Sequence, residues 1–302
     1  LAANPAVKDD AILRQTFNLG GERSQQNQYF LMESKLLTYA LDGKRVSTDV
    51  FRLCLKCVPA GIAGTKGDQW TCSRFTVQLG DDPEVEVPAI KNWTYVFKTP
   101  PTGIDDKGQT LGIDHAKFAN LVDVSGKTIA PDKSYHVYNA FIDFHGFCDI
   151  FAERIEGGKG IQDLKRIGQR IVHAAANKEA PVNLGGSIAK GSAFKNGEVT
   201  MELKGLSRVA GAACAMVGFD SGESSFKMIV KPAPDMEIRT VGSSHYKGDI
   251  YIDILTNWVK KVTMYELVVT EVTLPAPTGK VNAVIERDIV VRNVSAKEFA
   301  RR

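Results

Sequence analysis

The clearest pattern along the chain is a stripe of apolar residues between positions 133 and 156. These residues recur at spacings of three and four, which places them on one side of a helix of about five turns. The stripe consists of Val137, Phe141, Phe144, Cys148, Phe151 and Ile155. Pro131 and Ser134 are typical of a helix start, and Gly157 and Gly158 are typical of a helix end. The pattern therefore predicts one amphipathic helix over residues 133–156.

A second helical pattern follows directly after these glycines. Its apolar positions are Ile161, Leu164, Ile167, Ile171, Val172 and Ala175. The intervening segment Gly157-Gly158-Lys159-Gly160 is typical of a tight connection between helices. The two patterns together predict a helical hairpin.

Alternating apolar and polar residues on both sides of this hairpin predict antiparallel strands with one wet face. The expected strands span residues 37–41, 46–58, 70–79, 93–97, 199–203, 207–218, 225–231, 235–241, 250–254, 258–274 and 281–291. Asp42-Gly43 lies between the first two and is a strong hairpin signal.

The expected fold class is therefore α+β, with two antiparallel β-rich units and a central two-helix hairpin packed on a sheet. The expected division is an N-terminal β-rich unit over residues 1–130, the hairpin and a linker over 131–180, and a C-terminal antiparallel β unit over 181–302.

Composition narrows the range of partners. The chain of 302 residues is 43% hydrophobic and 24% charged, which is typical of a globular protein. Its net charge is only +3, and it has no basic run with interleaved aromatics, so we expect no nucleic-acid partner. No apolar run is long enough to cross a membrane, so we expect no membrane span. The oligomeric state stays open.

The five cysteines do not form a metal-binding pattern. Cys54 and Cys57 make a C-x-x-C motif, but no second pair completes a zinc or iron–sulfur site. We therefore expect no metal and no cofactor.

The cysteines do allow a disulfide. If strand 46–58 pairs with strand 70–79 so that Phe51 faces Phe75, then Cys54 faces Cys72. A bond between them would require an oxidising compartment. The alternative is that all five thiols are free and that Cys57, Cys148 and Cys214 are small core residues.

Polar residues of the first predicted helix form a second stripe beside the apolar one. His136, Asn139, Asp143 and Glu153 fall on it, and His145 is spaced to pair with Asp149 one turn later. An aspartate and a histidine can act together as general acid and base, so His136, Asp143 and His145 are the catalytic candidates. The alternative is that these groups make only structural hydrogen bonds.

Three classes of function fit this sequence. The first is an exported, non-enzymatic protein that binds an apolar or amphipathic small molecule, or a partner, in a cleft between sheet and helix. Its candidate ligand contacts are Asn139, Phe147, Glu153 and His245. It would be periplasmic or secreted, with a cytoplasmic location as the alternative. The second class is a hydrolase or isomerase that uses the Asp/His pair, although no strong catalytic motif is present. The third is an assembly subunit, which a large apolar surface patch would favour.

Overall fold

The computed structural model describes residues 14–97, 113–181, 189–233, 236–275 and 277–302. Within them the chain is mostly antiparallel sheet with one long helix, so the α+β class is confirmed. The strands are β1 (Gln28–Tyr39), β2 (Arg45–Val58), β3 (Asp68–Leu79), β4 (Val85–Glu86), β5 (Trp93–Phe97), β6 (Arg170–Val172), β7 (Glu179–Pro181), β8 (Ala193–Lys195), β9 (Thr200–Val209), β10 (Ala212–Asp220), β11 (Ser224–Ala233), β12 (Met236–Asp253), β13 (Val259–Thr273) and β14 (Lys280–Asn293). The α-helices are α1 (Ala60–Ala63), α2 (Pro131–His145) and α3 (Ala296–Phe299).

All of these strands belong to one sheet. Its main path runs β4–β3–β2–β1–β14–β13–β12–β10–β9–β6; β5 pairs with β3, and β11, β8 and β7 branch from β12. The pairing of β1 with β14 joins the N-terminal strands to the C-terminal strands. The two expected β-rich groups therefore share a single sheet, with α2 packed on one face. We call that face the inner face.

The predicted alternation of apolar and polar residues explains the strands. In β12, Ile250 and Ile252 are fully buried while Tyr251 between them is not. The expected Asp42-Gly43 turn connects β1 to β2, and Gly43 has a φ of 81°, a left-handed conformation that glycine adopts without strain.

Helix α2 lays its apolar stripe on the inner face, as expected. The ring of Phe141 stacks on Phe75 with centroids 5.9 Å apart, and Phe144 meets Phe30 edge-on at 5.2 Å. The helix continues as a π-helical turn over Gly146–Ile150 and is shorter than the predicted 133–156. Near its end, the Arg23 side chain, from a distant part of the chain, donates a hydrogen bond to the carbonyl oxygen of Cys148.

The predicted second helix over residues 161–175 is wrong, and with it the helical hairpin. The segment forms a single 3₁₀ turn, Ile161–Asp163, followed by strand β6, which pairs with β9. Gly168 lies between them with a φ of 84°, which a continuous helix does not allow. Ile161 and Leu164 are still fully buried, so the pattern identified core positions but assigned them the wrong backbone.

Of the two alternatives for the cysteines, the disulfide between Cys54 and Cys72 is wrong, since all five cysteines lie in the described residues and are free. Phe51 lies opposite Val77 instead of Phe75, so Cys54 pairs with Arg74. The register of β2 and β3 then shifts between Cys54 and Leu55, and Leu55 pairs with Cys72. This bulge places one extra residue in β3, so that Cys72 faces the core together with Phe75. Cys57, Cys148 and Cys214 are buried, in line with the free-thiol alternative.

Candidate functional site

The candidate site lies along one edge of α2, where the helix passes from buried to half-buried residues. Tyr135, Asn139, Ile142 and Gly146 follow one another at spacings of four, three and four, and all are half-buried. Asp143 lies beside them and is also half-buried. This edge faces the inner side of β12, β13 and β14.

A buried polar network connects the edge to the sheet. Arg287 on β14 donates one hydrogen bond to Asp143 and another to Glu266 Oε2 on β13 at 2.6 Å. Ser244 on β12 donates to the other oxygen of Glu266, and Asn139 Nδ2 donates to Asp143 Oδ2 at 3.3 Å. We call these five residues the Arg287 network. Because one guanidinium joins two carboxylates, the network ties α2 to three adjacent strands.

Burial controls the titration of the groups in and around this network. Burial raises the pKa of Asp143 to about 6; the Arg287 guanidinium opposes this shift and Glu266 adds to it. Burial, together with the charges of Arg287 and Lys133, lowers the pKa of His136 to about 3, so its imidazole is neutral at physiological pH. Asp143 is therefore the group here that titrates nearest to neutrality.

An apolar shelf adjoins the network on the inner face. Tyr246, Glu266 and Arg287 lie directly opposite one another across β12, β13 and β14. Two residues further along the strands, Val268 and Ile285 lie opposite one another on the same face, and both are half-buried. We call Val268, Ile285 and the neighbouring half-buried Ala283 the apolar shelf. The edge of α2 thus presents charged groups next to apolar surface.

The second polar cluster contains His145, which the sequence predicted to pair with Asp149. His145 Nδ1 is hydrogen-bonded to Asp149 Oδ2 at 2.6 Å, and Nε2 to the Tyr95 hydroxyl at 2.7 Å. Arg23 donates to Asp149 Oδ1 at 2.7 Å and lies 4.4 Å above the ring of Trp258. His145 is fully buried and both of its ring nitrogens are engaged. It can take a proton from a substrate only by breaking one of these bonds.

Electrostatics reinforce this second cluster. Burial alone would raise the pKa of Asp149, but Arg23 and His145 overcome it and hold that pKa below its usual value. Burial opposes the charge on Arg23, while Glu153 and Asp149 raise its pKa. Both groups therefore remain charged, as the members of a buried ion pair can when hydrogen bonds join them. The arrangement anchors the N-terminal segment to the end of the long helix.

The structure separates the residues predicted to bind a ligand. Asn139 belongs to the Arg287 network, whereas Phe147 lies in the core with its ring 5.0 Å from that of Phe219. Glu153 pairs with Arg23 at 2.6 Å. His245 lies on the outer face of the sheet, exposed and 2.7 Å from Asp220.

The three catalytic candidates also have different surroundings. His136 packs against Phe51 with ring centroids 5.7 Å apart, and its buried Nδ1 has no hydrogen-bond partner among the described residues. Asp143 points to Arg287, and His145 belongs to the second cluster. Asp143 and His145 therefore lie in separate networks.

The outer face carries a shallow concavity of about 440 Å³. Four of its charged groups form two ion pairs, Arg170 with Glu202 at 2.8 Å and Lys204 with Asp249 at 2.6 Å, and Asp220 pairs with His245. A solvated surface with such pairs needs no ligand to explain it.

Charged residues lie between the exposed apolar residues of the outer face. Tyr265 lies opposite Asp288, and Leu267 lies opposite Glu286. This part of the face is therefore mixed in character and does not form one large apolar patch.

Sequence reasoning missed Ser244, Glu266 and Arg287. Each lies far from α2 in the sequence, so spacing could not connect them. One signal was present: Glu266 follows Val262 and Met264 at the alternate positions that face the core. A charged residue at such a position requires a buried partner.

No helix in the described part of the chain is long and apolar enough to cross a membrane. Among the same residues, no group of three or more His, Cys, Asp and Glu side chains is arranged to hold a metal ion. Comparison with known proteins adds no identification, because no family model and no curated protein matches the chain.

Proposed function

We propose that the protein is a non-enzymatic binding protein that holds an amphipathic small molecule on the inner face of its sheet, beside α2. The observation that supports this most directly is the contact of the Arg287 network with the apolar shelf. A ligand with a polar head and an apolar body could place the head at Asp143 and the body over Val268 and Ile285.

The sequence predicted a cleft beside the phenylalanines of the helix, whereas the proposed site lies along the edge of the helix. Phe141 and Phe144 are fully buried, and their rings pack against those of Phe75 and Phe30. They leave a ligand no room beneath the helix. The half-buried residues along the edge of α2, by contrast, are accessible without unfolding the core.

The proposed site also lies where the two groups of strands meet. Arg287 is on β14, which pairs with β1 on one side and with β13 on the other. If the N-terminal and C-terminal strands are two units, as the sequence predicts, then the ligand would bind close to their junction.

Fluorescence titration with N-phenyl-1-naphthylamine, a neutral apolar probe, tests this proposal. We expect saturable binding of about one probe per chain. Ile285→Gln, on the shelf, should weaken it roughly ten-fold, because the loss of an apolar contact costs about 1.4 kcal/mol. Val290→Gln is the matched control, since Val290 is on the same strand but 39% exposed on the outer face. Absence of saturable binding, or equal loss in both variants, would refute the proposal.

A hydrolase or isomerase is the second candidate, favoured by the Asp143 pKa of about 6. A carboxyl group that titrates near neutrality can serve as a general acid or base. Hydrolysis of p-nitrophenyl esters with acyl chains of increasing length, measured from pH 5 to 8, tests the hydrolase. The rate should rise with ionisation of Asp143 and fall to the background rate in Asp143→Asn. No rate above background in the unaltered protein would count against it.

An extracytoplasmic location stays a prediction of the sequence. The proposed disulfide would have supported it, and the free thiols of Cys54 and Cys72 remove that support.

A further inference from the structure

We infer that the ligand beside α2 carries a cationic amine head group, bound by the carboxylate of Asp143 and the rings of Tyr135 and Tyr246. This inference depends on the proposed function, since it specifies the chemistry of the same site. It follows from the charge of the network, from the hydrogen bonds that are already made, and from the aromatic residues nearby.

The Arg287 network carries an excess of negative charge. Asp143 and Glu266 are two carboxylates, Arg287 is one cation, and Ser244 and Asn139 are neutral. With both carboxylates ionised, the sum is −1. The side chains of Asp143 and Arg287 are only 13% and 10% exposed, so water screens this charge weakly. A cation would neutralise the network, whereas an anion would be repelled by it.

The hydrogen bonds identify which oxygen can receive the amine. Both oxygens of Glu266 are occupied, one by Arg287 and one by Ser244. Asp143 Oδ2 accepts from Arg287 and Asn139, but Oδ1 accepts no hydrogen bond from any described residue. An ammonium group has three donors and no acceptor, which suits a carboxylate oxygen with its capacity unused.

Two half-buried tyrosines give a second reason for a cation. Tyr246 lies directly opposite Glu266 across β12 and β13, and Tyr135 lies one turn before Asn139 on α2. The charges of Arg287, Asp143 and Glu266 act on the phenol groups of both tyrosines. Burial raises the pKa of both hydroxyls, so the rings stay neutral. The Tyr246 hydroxyl donates to Asn196 Oδ1 at 2.9 Å, which fixes the orientation of its ring. Aromatic faces beside a carboxylate are the usual surroundings of bound amines.

Binding of such a cation should depend on the ionisation of Asp143. The charged and titratable groups around it are Arg287 on β14, Glu266 on β13, Tyr246 on β12, and Tyr135, His136 and Lys133 on α2. Of these, His136 is neutral at pH 5 and above, and the two phenols do not ionise in the range of interest. Protonation of Asp143 below pH 6 would reduce the network charge from −1 to zero. Affinity for a cation should therefore fall as the pH falls.

The experiment compares three ligands with the same tail: decylammonium, which has three N–H donors, 1-decanol and decyl sulfate, each below its micellar concentration. Each is titrated against the bound N-phenyl-1-naphthylamine probe at pH 7.5 and pH 5. At pH 7.5 the ammonium compound should displace the probe at a concentration at least ten-fold lower than the other two require. Its affinity should fall about ten-fold at pH 5, while that of decanol should not change.

Asp143→Asn should abolish both differences and keep decanol binding. If that variant does not fold, the ratios measured on the unaltered protein decide the question without it. If decanol or decyl sulfate binds as well as the ammonium compound, then the amine assignment is wrong and the binding site stands. If none of the three displaces the probe and the probe itself does not bind, then the proposed function fails as well.

Discussion

Asp149 is hydrogen-bonded to Arg23 through one carboxylate oxygen and to His145 through the other. Its side chain is only 2% exposed. Asp149→Asn would leave the Arg23 guanidinium, itself only 9% exposed, with Glu153 at 2.6 Å as its remaining ion-pair partner. Because a buried hydrogen bond between charged groups is lost, the free energy of unfolding should fall by about 1.5–3 kcal/mol. Urea denaturation measures this loss.

The matched control for Asp149→Asn is Glu202→Gln. Glu202 also pairs with an arginine, but the Arg170 side chain is 74% exposed, so this change should cost less than about 1 kcal/mol. A similar small loss at both positions would mean that the buried pair is not an anchor.

Three groups with large pKa shifts contribute to the response of stability to acid between pH 6.5 and about pH 4. His136 and His173 have pKa values lowered by burial to about 3 and about 4, so the unfolded chain takes up two protons below pH 6.5 that the folded chain refuses. Their contribution to stability is present above pH 6.5 and is lost as the pH falls. Asp143, with its raised pKa, acts in the opposite sense between pH 6 and about pH 4. For these three groups together, the unfolded chain therefore binds one more proton than the folded chain. The free energy of unfolding falls by about 1.4 kcal/mol for each unit by which the pH is lowered.

His173→Gln should remove this remaining slope. His173 is 1% exposed, so the change acts on a buried imidazole. Unfolding free energies at pH 4.5, 5.5 and 6.5 should fall with acid in the unaltered protein and stay nearly level in the variant. Asp143→Asn should have the opposite effect and steepen the fall. Parallel pH curves for the unaltered protein and His173→Gln would contradict the assignment.

Sequence spacing predicted two residues of the cluster around Asp149 and could not predict the others. The His145–Asp149 pair was predicted because the helix itself sets the distance between positions four apart. Arg23 and Tyr95 complete the same cluster from 126 and 50 residues away along the chain. Only the fold brings these groups together, so local spacing carries no information about them.

At the scale of elements, Gly146 is a weak point in the long helix. Its φ of −56° and ψ of −53° are helical, and a Cβ added there would meet no atom within 4 Å. Gly146→Ala should therefore raise the free energy of unfolding by about 0.5–1 kcal/mol, because alanine loses less backbone freedom. Thermal and urea denaturation both measure this gain.

Gly157→Ala provides the contrast. Gly157 also has open space around it, but its φ is 85°, which strains any side-chain-bearing residue. This variant should lose about 1 kcal/mol. If both substitutions had the same sign, then backbone conformation would not be the deciding factor.

The bulge in β3 can be tested through cysteine reactivity. Four of the five cysteines are buried and Cys54 is half-buried, and burial raises the pKa of every one of these thiols. In the native protein, iodoacetamide should therefore label Cys54 first, as peptide mass spectrometry would detect. After unfolding without a reductant, all five should react. Labelling of fewer than five cysteines would indicate that a disulfide is present.

Elements were predicted well where one periodicity acts alone. The alternation in β13 and the stripe of α2 follow from burial of one face, and both elements formed. The two strands expected over residues 235–241 and 250–254 are parts of the single strand β12. Prediction failed where the backbone conformation of one residue or the strand register decides the structure. A turn at Gly168 and a strand replace the expected helix, and β2 pairs with β3 two residues away from the expected register, so that Phe51 faces Val77 and Cys54 faces Arg74. Hydrophobic pattern does not encode either event.

On the scale of the whole molecule, the sequence suggested two β-rich units, whereas the structure has one sheet. The difference arises at the β1–β14 pairing, which joins residues more than 240 positions apart. No local pattern reveals which strand a given strand will pair with. The position of α2 follows from this pairing, because the helix covers strands from both ends of the chain. So does the Arg287 network, which exists only where α2 meets β12, β13 and β14.

If the sheet folds as one unit, then both groups of strands should unfold together. Phe30 on β1 connects them, with its ring 5.8 Å from that of Trp70 on β3 and 6.4 Å from that of Trp258 before β13. Two variants that each keep one of these tryptophans, with the others changed to Phe, report on the two groups separately. In each variant the fluorescence and far-UV circular dichroism curves in urea should have one common midpoint, because a shared core cannot be lost in halves. A Trp258 midpoint that differs from the circular dichroism midpoint would instead establish two units, and would make the junction beside α2 a boundary that a bound ligand could hold closed.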